Sequence, residues 1–152
     1  MIATSEFVRR LGGAMIVAVM TGMGAGCATG TLKPEASVAA GLGCVDDSLG
    51  CQSKRRSALN ALLSDKDRAW IQQPSSAAAY ASGVRLFAFK KRKSELSCAE
   101  LAIGHREAQA ARATLRAAKA TLTPAQIARG AMLGDEVGAE LARERRKRRC
   151  KA

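Results

Sequence analysis

Five cysteines, Cys27, Cys44, Cys51, Cys98 and Cys150, carry most of the chemistry this sequence could perform. A thiol can ligate a metal, act as a nucleophile, accept a lipid or pair with another thiol. Cys44 and Cys51 lack the spacing and the extra nearby ligands of a zinc site, so pairing is the expected use. His105 is the single histidine and lies between Gly104 and Arg106. A catalytic base needs a nucleophile and an orienting group; none is earmarked for it, and His105 reads as a surface or half-buried helical residue. Asp46 and Asp47 are adjacent and fit a helix-capping region. The glycines sit at helical spacing with no neighbouring strand, which excludes a phosphate-cradling loop. The expectation is therefore no enzyme, no cofactor and no metal.

The second chemical feature is charge. The chain has 25 Lys and Arg against 13 Asp and Glu, a formal net charge of +12, which attracts anionic partners at a distance. Two basic blocks stand out: Lys90, Lys91, Arg92 and Lys93, and a run near the carboxyl end that includes Arg145, Arg146, Arg148 and Arg149. Aromatic residues are only 3% of the chain, which disfavours a base-stacking nucleic-acid surface and leaves Trp70, Tyr80, Phe87 and Phe89 as the bulk of the core.

The amino-terminal residues carry a different signal. Arg9 and Arg10 precede the uncharged stretch Leu11 to Gly26, which is about 16 residues long and short of the ~20 that span a bilayer. A basic start, a short apolar run and small residues form the layout of an export signal. Gly24, Ala25 and Gly26 before Cys27 resemble the lipobox of bacterial lipoproteins, with Gly24 where that family usually has Leu. The resemblance implies cleavage before Cys27, a diacylglycerol on its sulfur, and a protein anchored in the bacterial cell envelope facing the periplasm. Ala28 lacks the Asp that retains some lipoproteins at the inner membrane, which favours the outer membrane. Residues 1–26 are then a signal peptide, 27–43 a lipid-anchored flexible tether, and 44–152 the folded domain. Loss of residues 1–26 removes two basic residues and one acidic, so the positive charge belongs to the domain. With Cys27 acylated, Cys44, Cys51, Cys98 and Cys150 remain as an even set for two disulfides in an oxidising compartment. A conventional signal peptide releasing a soluble module is the alternative.

The domain reads as small and all-α, and from Asp46 onward it is punctuated by helix starts. Asp46 to Ser48 cap a first helix from Leu49 to Leu63, with Ala58, Leu59, Leu62 and Leu63 at its buried end. A restart at Ser64 to Asp67 turns Trp70 and Ile71 inward before Pro74. Ser75 or Ser76 opens a helix with Tyr80, Gly83, Val84 and Phe87 on one face. Ser97 with Glu100, and Thr123 with Gln126 behind Pro124, are capping boxes that start two long helices. Gly104, Ala108 and Ala111 on the first offer a flat face to Gly130, Gly134 and Gly138 on the second. Three exposed helical glycines would cost about 1 kcal/mol each, so the expected gain is close packing in an antiparallel hairpin, with homodimerisation through the same groove as its rival.

Arms of roughly 30 and 38 Å bring Cys98 and Cys150 to one end, which suits a Cys98–Cys150 bridge and leaves Cys44 with Cys51, although four cysteines allow three connectivities. Closing that loop is worth roughly 3–4 kcal/mol. The same geometry gathers Lys90 to Lys93 and Arg145 to Arg149 into one cationic tip. Expected partners are a membrane through the lipid, and anionic headgroups, envelope polymers or an acidic protein through the tip. The equally weighted reading is that the basic end complements the helix dipole.

Overall fold

The computed structural model describes residues 34–151, so the stretch read as a signal peptide, the expected lipidation site Cys27 and the first part of the expected tether lie outside the described residues. Six helices follow in order: α1 Pro34–Leu42, α2 Leu49–Ser64, α3 Ala77–Ser82, α4 Val84–Arg92, α5 Cys98–Ala117 and α6 Pro124–Lys147. A single 3-10 turn, Ala69–Gln72, lies between α2 and α3, and there is no strand among the described residues. The fold is all-α, as its sequence predicts.

The helix starts are set by local hydrogen bonds. Ser48 Oγ accepts from the Cys51 amide, Ser76 Oγ from Ala79, Ser97 Oγ from Glu100 and Thr123 Oγ1 from Gln126. In α5 and α6 the box closes in both directions, because Glu100 and Gln126 accept from the Ser97 and Thr123 amides at 2.7 and 2.8 Å.

Packing of α5 on α6 forms the hairpin around which the other helices are laid. Leu101, Ala108, Ala111 and Leu115 of α5 are buried, together with Val137 and Leu141 of α6. Gly130, Gly134 and Gly138 are all buried within the chain, but they face different neighbours. A Cβ on Gly134 would stand 3.0 Å from the Ala108 carbonyl oxygen, which marks the closest approach of the two backbones. Gly130 instead meets Leu115 and the Tyr80 carbonyl, and Gly138 has ordinary clearance. Gly104 is not opposite the α6 glycines alone: its missing side chain leaves room for the Phe89 ring, 2.6 Å from where a Cβ would be.

Two elements depart from the sequence expectation. The stretch read as a flexible tether to Gly43 contains α1, whose Val38 and Leu42 pack against the core. Pro34 opens this helix at a position where its missing N–H costs nothing, and Ser37 hydrogen-bonds Ser57 of α2 at 3.1 Å. The beginning of α1 lies by the end of α2, since Glu35 and Val38 line one apolar groove with Asp65, Ala69 and Trp70.

The second departure is a break at Gly83, which adopts φ +73° and divides the expected third helix into α3 and α4. That conformation is open to glycine and strained for other residues. The break resets the helical phase. Leu86, Ala88 and Phe89 become fully buried, whereas Phe87 is only half-buried beneath the Lys91 ammonium. Arg85 turns inward with them and is 3% exposed. Its guanidinium pairs with Glu107 of α5 and donates to the carbonyls of Trp70, Ile71 and Gln73. It also lies 5.4 Å from the Trp70 ring, which meets Phe89 edge-on.

Candidate anion-binding site

The four described cysteines form two pairs at disulfide distance, Cys44 with Cys51 and Cys98 with Cys150, with Cα separations of 5.4 and 5.5 Å. Asp46 approaches the first pair, but paired sulfurs are not metal donors. The second pair closes the open end of the α5–α6 hairpin. It is aimed by a reversal of the chain after α6, in which the Cys150 amide donates to the Arg145 carbonyl and the Arg149 amide to Arg146, both at 3.0 Å. This is a Schellman turn, and its left-handed residue is Arg149, φ 53°, where glycine is usual. The left-handed conformation costs a non-glycine residue about 1–2 kcal/mol, and the covalent link at the next residue helps to offset it.

The two basic blocks do approach one another, since Lys93 lines a pocket with Arg143 and Lys147, but carboxylates stand between many of their charges. Lys90 pairs with Glu136 and Glu140, and Lys93 with Glu140. Hydrogen bonding from Lys93, with Lys90 behind it, holds the Glu140 carboxyl below the usual range. Arg92 pairs with Glu95 and donates to the Asp65 carbonyl, and Lys91 covers Phe87. Arg148 turns toward Glu144 and the Leu96 carbonyl. Lys90 and Lys93 of the first block are thus neutralised against the acidic middle of α6 and Arg92 against Glu95, which charge counting along the chain could not reveal. Arg146 is exposed on the outer face of α6.

Arg145 and Arg149 remain, and they line an open cavity of about 720 Å³ beside the Cys98–Cys150 pair. Arg106 of α5 and Lys151 complete its basic lining, with Ala99 and Ala102 forming an apolar floor. None of the described residues lining this cavity has an acidic side chain. Arg145 keeps its Nε buried without a hydrogen-bond partner. His105, the neighbour of Arg106, has its imidazole pushed below the ordinary histidine pKa, by partial burial first and by the Arg145 charge second. Arg106 and Lys151 were not singled out by sequence; the one available signal was that Arg106 follows Cys98 by eight residues, on the same helix face.

At the same end of α5, Glu100 both caps the helix and pairs with Arg68, Nε to Oε1 2.8 Å. The Arg68 hydrogen bond holds its pKa at about 2. A carboxyl depressed in the folded state contributes stability that is present above its unfolded pKa and is lost as pH falls through the folded value. Unfolding free energy measured in urea is expected to fall by about 2 kcal/mol between roughly pH 4.5 and 2 on this account, less than the full shift since Arg68 is partly exposed. Glu100→Gln should flatten the pH profile over that window while lowering stability at pH 6; an unchanged profile would refute the assignment.

The described helices include none long and apolar enough to cross a membrane. Compared with known proteins, the chain matches no family model, no curated protein and no solved structure.

Proposed function

We propose that this is a lipid-anchored protein of the bacterial cell envelope, acylated at Cys27 and facing the periplasm, whose helical body binds phosphate-bearing anions at the basic cavity. The observation that carries the binding half of this reading is the cavity itself. Arg106, Arg145, Arg149 and Lys151 share it without an acidic residue among the described residues of its wall, while Lys90 and Lys93 are paired with carboxylates elsewhere. Cations with no internal partner repel one another, and a bound anion relieves that repulsion. Guanidinium groups suit the oxygens of phosphate through paired N–H donors. Two cysteine pairs at bonding distance support an oxidising compartment, and the small residues before Cys27 support the anchor.

The test uses vesicles of phosphatidylglycerol diluted in phosphatidylcholine, with the unacylated protein to isolate the electrostatic contribution. Binding should weaken steeply with salt, and the Arg145→Gln, Arg149→Gln double variant should lose about tenfold or more at low salt. Because His105 is the sole histidine and Arg145 depresses it, phosphate binding should also raise its pKa, read by NMR. Equal binding by wild type and double variant removes the cavity from the proposal. Intact mass spectrometry of the native product reports the anchor separately: a lipid-free terminus beyond a conventional cut would replace the anchored form with a soluble periplasmic module.

A further inference from the structure

We propose that Cys98–Cys150 is a thiol–disulfide exchange site for anionic thiols, whereas Cys44–Cys51 is a protected structural pair. The two pairs differ in access. Cys51 is 3% exposed in the core and its partner Cys44 is half-buried, while Cys98 is exposed on the wall of the open basic cavity and Cys150 is half-buried beside it, so only the second pair presents an exposed member.

They also differ in what surrounds the sulfurs: Cys51 lies in the first turn of α2 with Arg55 donating to its Sγ at 3.7 Å, but the Asp46 carboxylate stands within 4.8 Å of that pair and opposes a negative sulfur there. Cys98 is the first residue of α5, a helix of 20 residues, so the positive end of the helix dipole falls on its thiolate. Arg106 of the same helix, Arg145 of α6, and Arg149 and Lys151 after it wall the cavity that Cys98 and Cys150 also line. Glu100, the carboxylate nearest in sequence to Cys98, is engaged by Arg68 and the Ser97 amide. Every one of these features favours a negative sulfur at Cys98, and a stabilised thiolate makes the reduced state easier to reach.

The exchange balances as follows. A substrate thiolate attacks the exposed Cys98 Sγ in line with the S–S bond. That bond breaks, and Cys150 leaves with the electron pair as a thiolate among Arg145 and Lys151, taking up a proton from solvent according to pH. A second substrate thiolate attacks the substrate sulfur of the mixed disulfide and expels Cys98 as a thiolate at the helix start. Two substrate thiols are oxidised to their disulfide and the protein pair is reduced to a dithiol. The cationic wall concentrates thiols that carry carboxylates, and it repels cationic ones.

The exchange uses the same basic cavity as the proposed anion binding but does not require it, and its test reads cysteine reduction without vesicles, so the two readings can fail separately. The oxidised full-length protein is reacted with glutathione, an anionic thiol, or cysteamine, a cationic one, at matched thiolate concentration. Acid quenching, alkylation and peptide mass mapping then assign each cysteine. Cys98 and Cys150 should be freed about tenfold or more faster than Cys44 and Cys51, and glutathione should outpace cysteamine by about tenfold at low salt, a ratio that shrinks as salt rises. The Arg145→Gln, Arg149→Gln variant should shrink it as well, with the Cys44–Cys51 rate as an internal control for folding. Equal rates at the two pairs, or no preference between the two thiols, would overturn the proposal.

Discussion

Arg85→Ala is expected to lower the unfolding free energy by about 3–5 kcal/mol, the cost of stranding a buried charge and its acceptors. Arg85 is 3% exposed and Glu107 faces it at 2.6 and 2.9 Å through both carboxylate oxygens. Removing the guanidinium leaves Glu107 with Ser75 as its remaining side-chain donor, at 2.7 Å, and frees the Trp70, Ile71 and Gln73 carbonyls together. Those carbonyls hold the 3-10 turn against the bundle, so near-ultraviolet circular dichroism of Trp70 should weaken as well. Lysine is a poor replacement, because one ammonium cannot serve a carboxylate fork and three carbonyls at once. The informative comparison is Arg85→Met with Glu107→Leu: the pair should be less destabilised than the sum of its members, since neither ion is left alone. Chemical denaturation of the four proteins decides it. A loss below about 1 kcal/mol for Arg85→Ala would mean that water replaces the lost contacts.

Gly41→Ala is expected to undock α1, at a cost of roughly 2 kcal/mol, within the range for overpacking. The new Cβ would stand 2.3 Å from the Ala58 Cβ and 2.5 Å from the Lys54 carbonyl oxygen. Neither is the end of a flexible side chain, so the helices must separate. The loss should be local. Amide exchange should speed up over residues 34–42 while α5 and α6 keep their protection, and trypsin should gain access near Lys54. Uniform loss of protection, or none, would contradict the packing described for α1.

What was legible in the sequence was what depends on neighbours a few residues apart. Ser97 with Glu100 and Thr123 with Gln126 announce their helices because both partners of each box lie within one turn. The hairpin followed from those starts and from the short link between the helices, and the two close cysteine pairs agree with the pairing inferred from it. What was not legible depends on phase and on distant partners. A continuous helix through Gly83 points Phe87 inward; the left-handed break moves that role to Phe89 and brings Arg85 into the core. Nothing in the local pattern pairs Arg85 with Glu107, or Lys90 with Glu136, because those partners lie on other helices. Helix α1 was hidden by its composition: "PEASVAAGL" is small and weakly patterned, and its stability comes from α2. At the basic site, charge density drew attention to runs of Lys and Arg, whereas the groups left open are decided by which of them find a carboxylate. Arg106 stands apart from either run and still joins Arg145 and Arg149.

The position at which α1 begins has a bearing on orientation. Glu35 lines a groove with Asp65 and Ala69, Arg68 pairs with Glu100, and Glu100 belongs to the first turn of α5, where the basic cavity also starts. Helix α1 therefore begins on the side of the bundle that carries the Arg68–Glu100 pair, away from the end where Gln126 meets Val45. From Cys27 to Pro34 the backbone can reach at most about 25 Å when fully drawn out. An acylated Cys27 would act as a short leash on the helical body, raising the local concentration of headgroups that body meets. Weak individual contacts could then suffice, and lengthening the leash should cost occupancy even with every arginine in place.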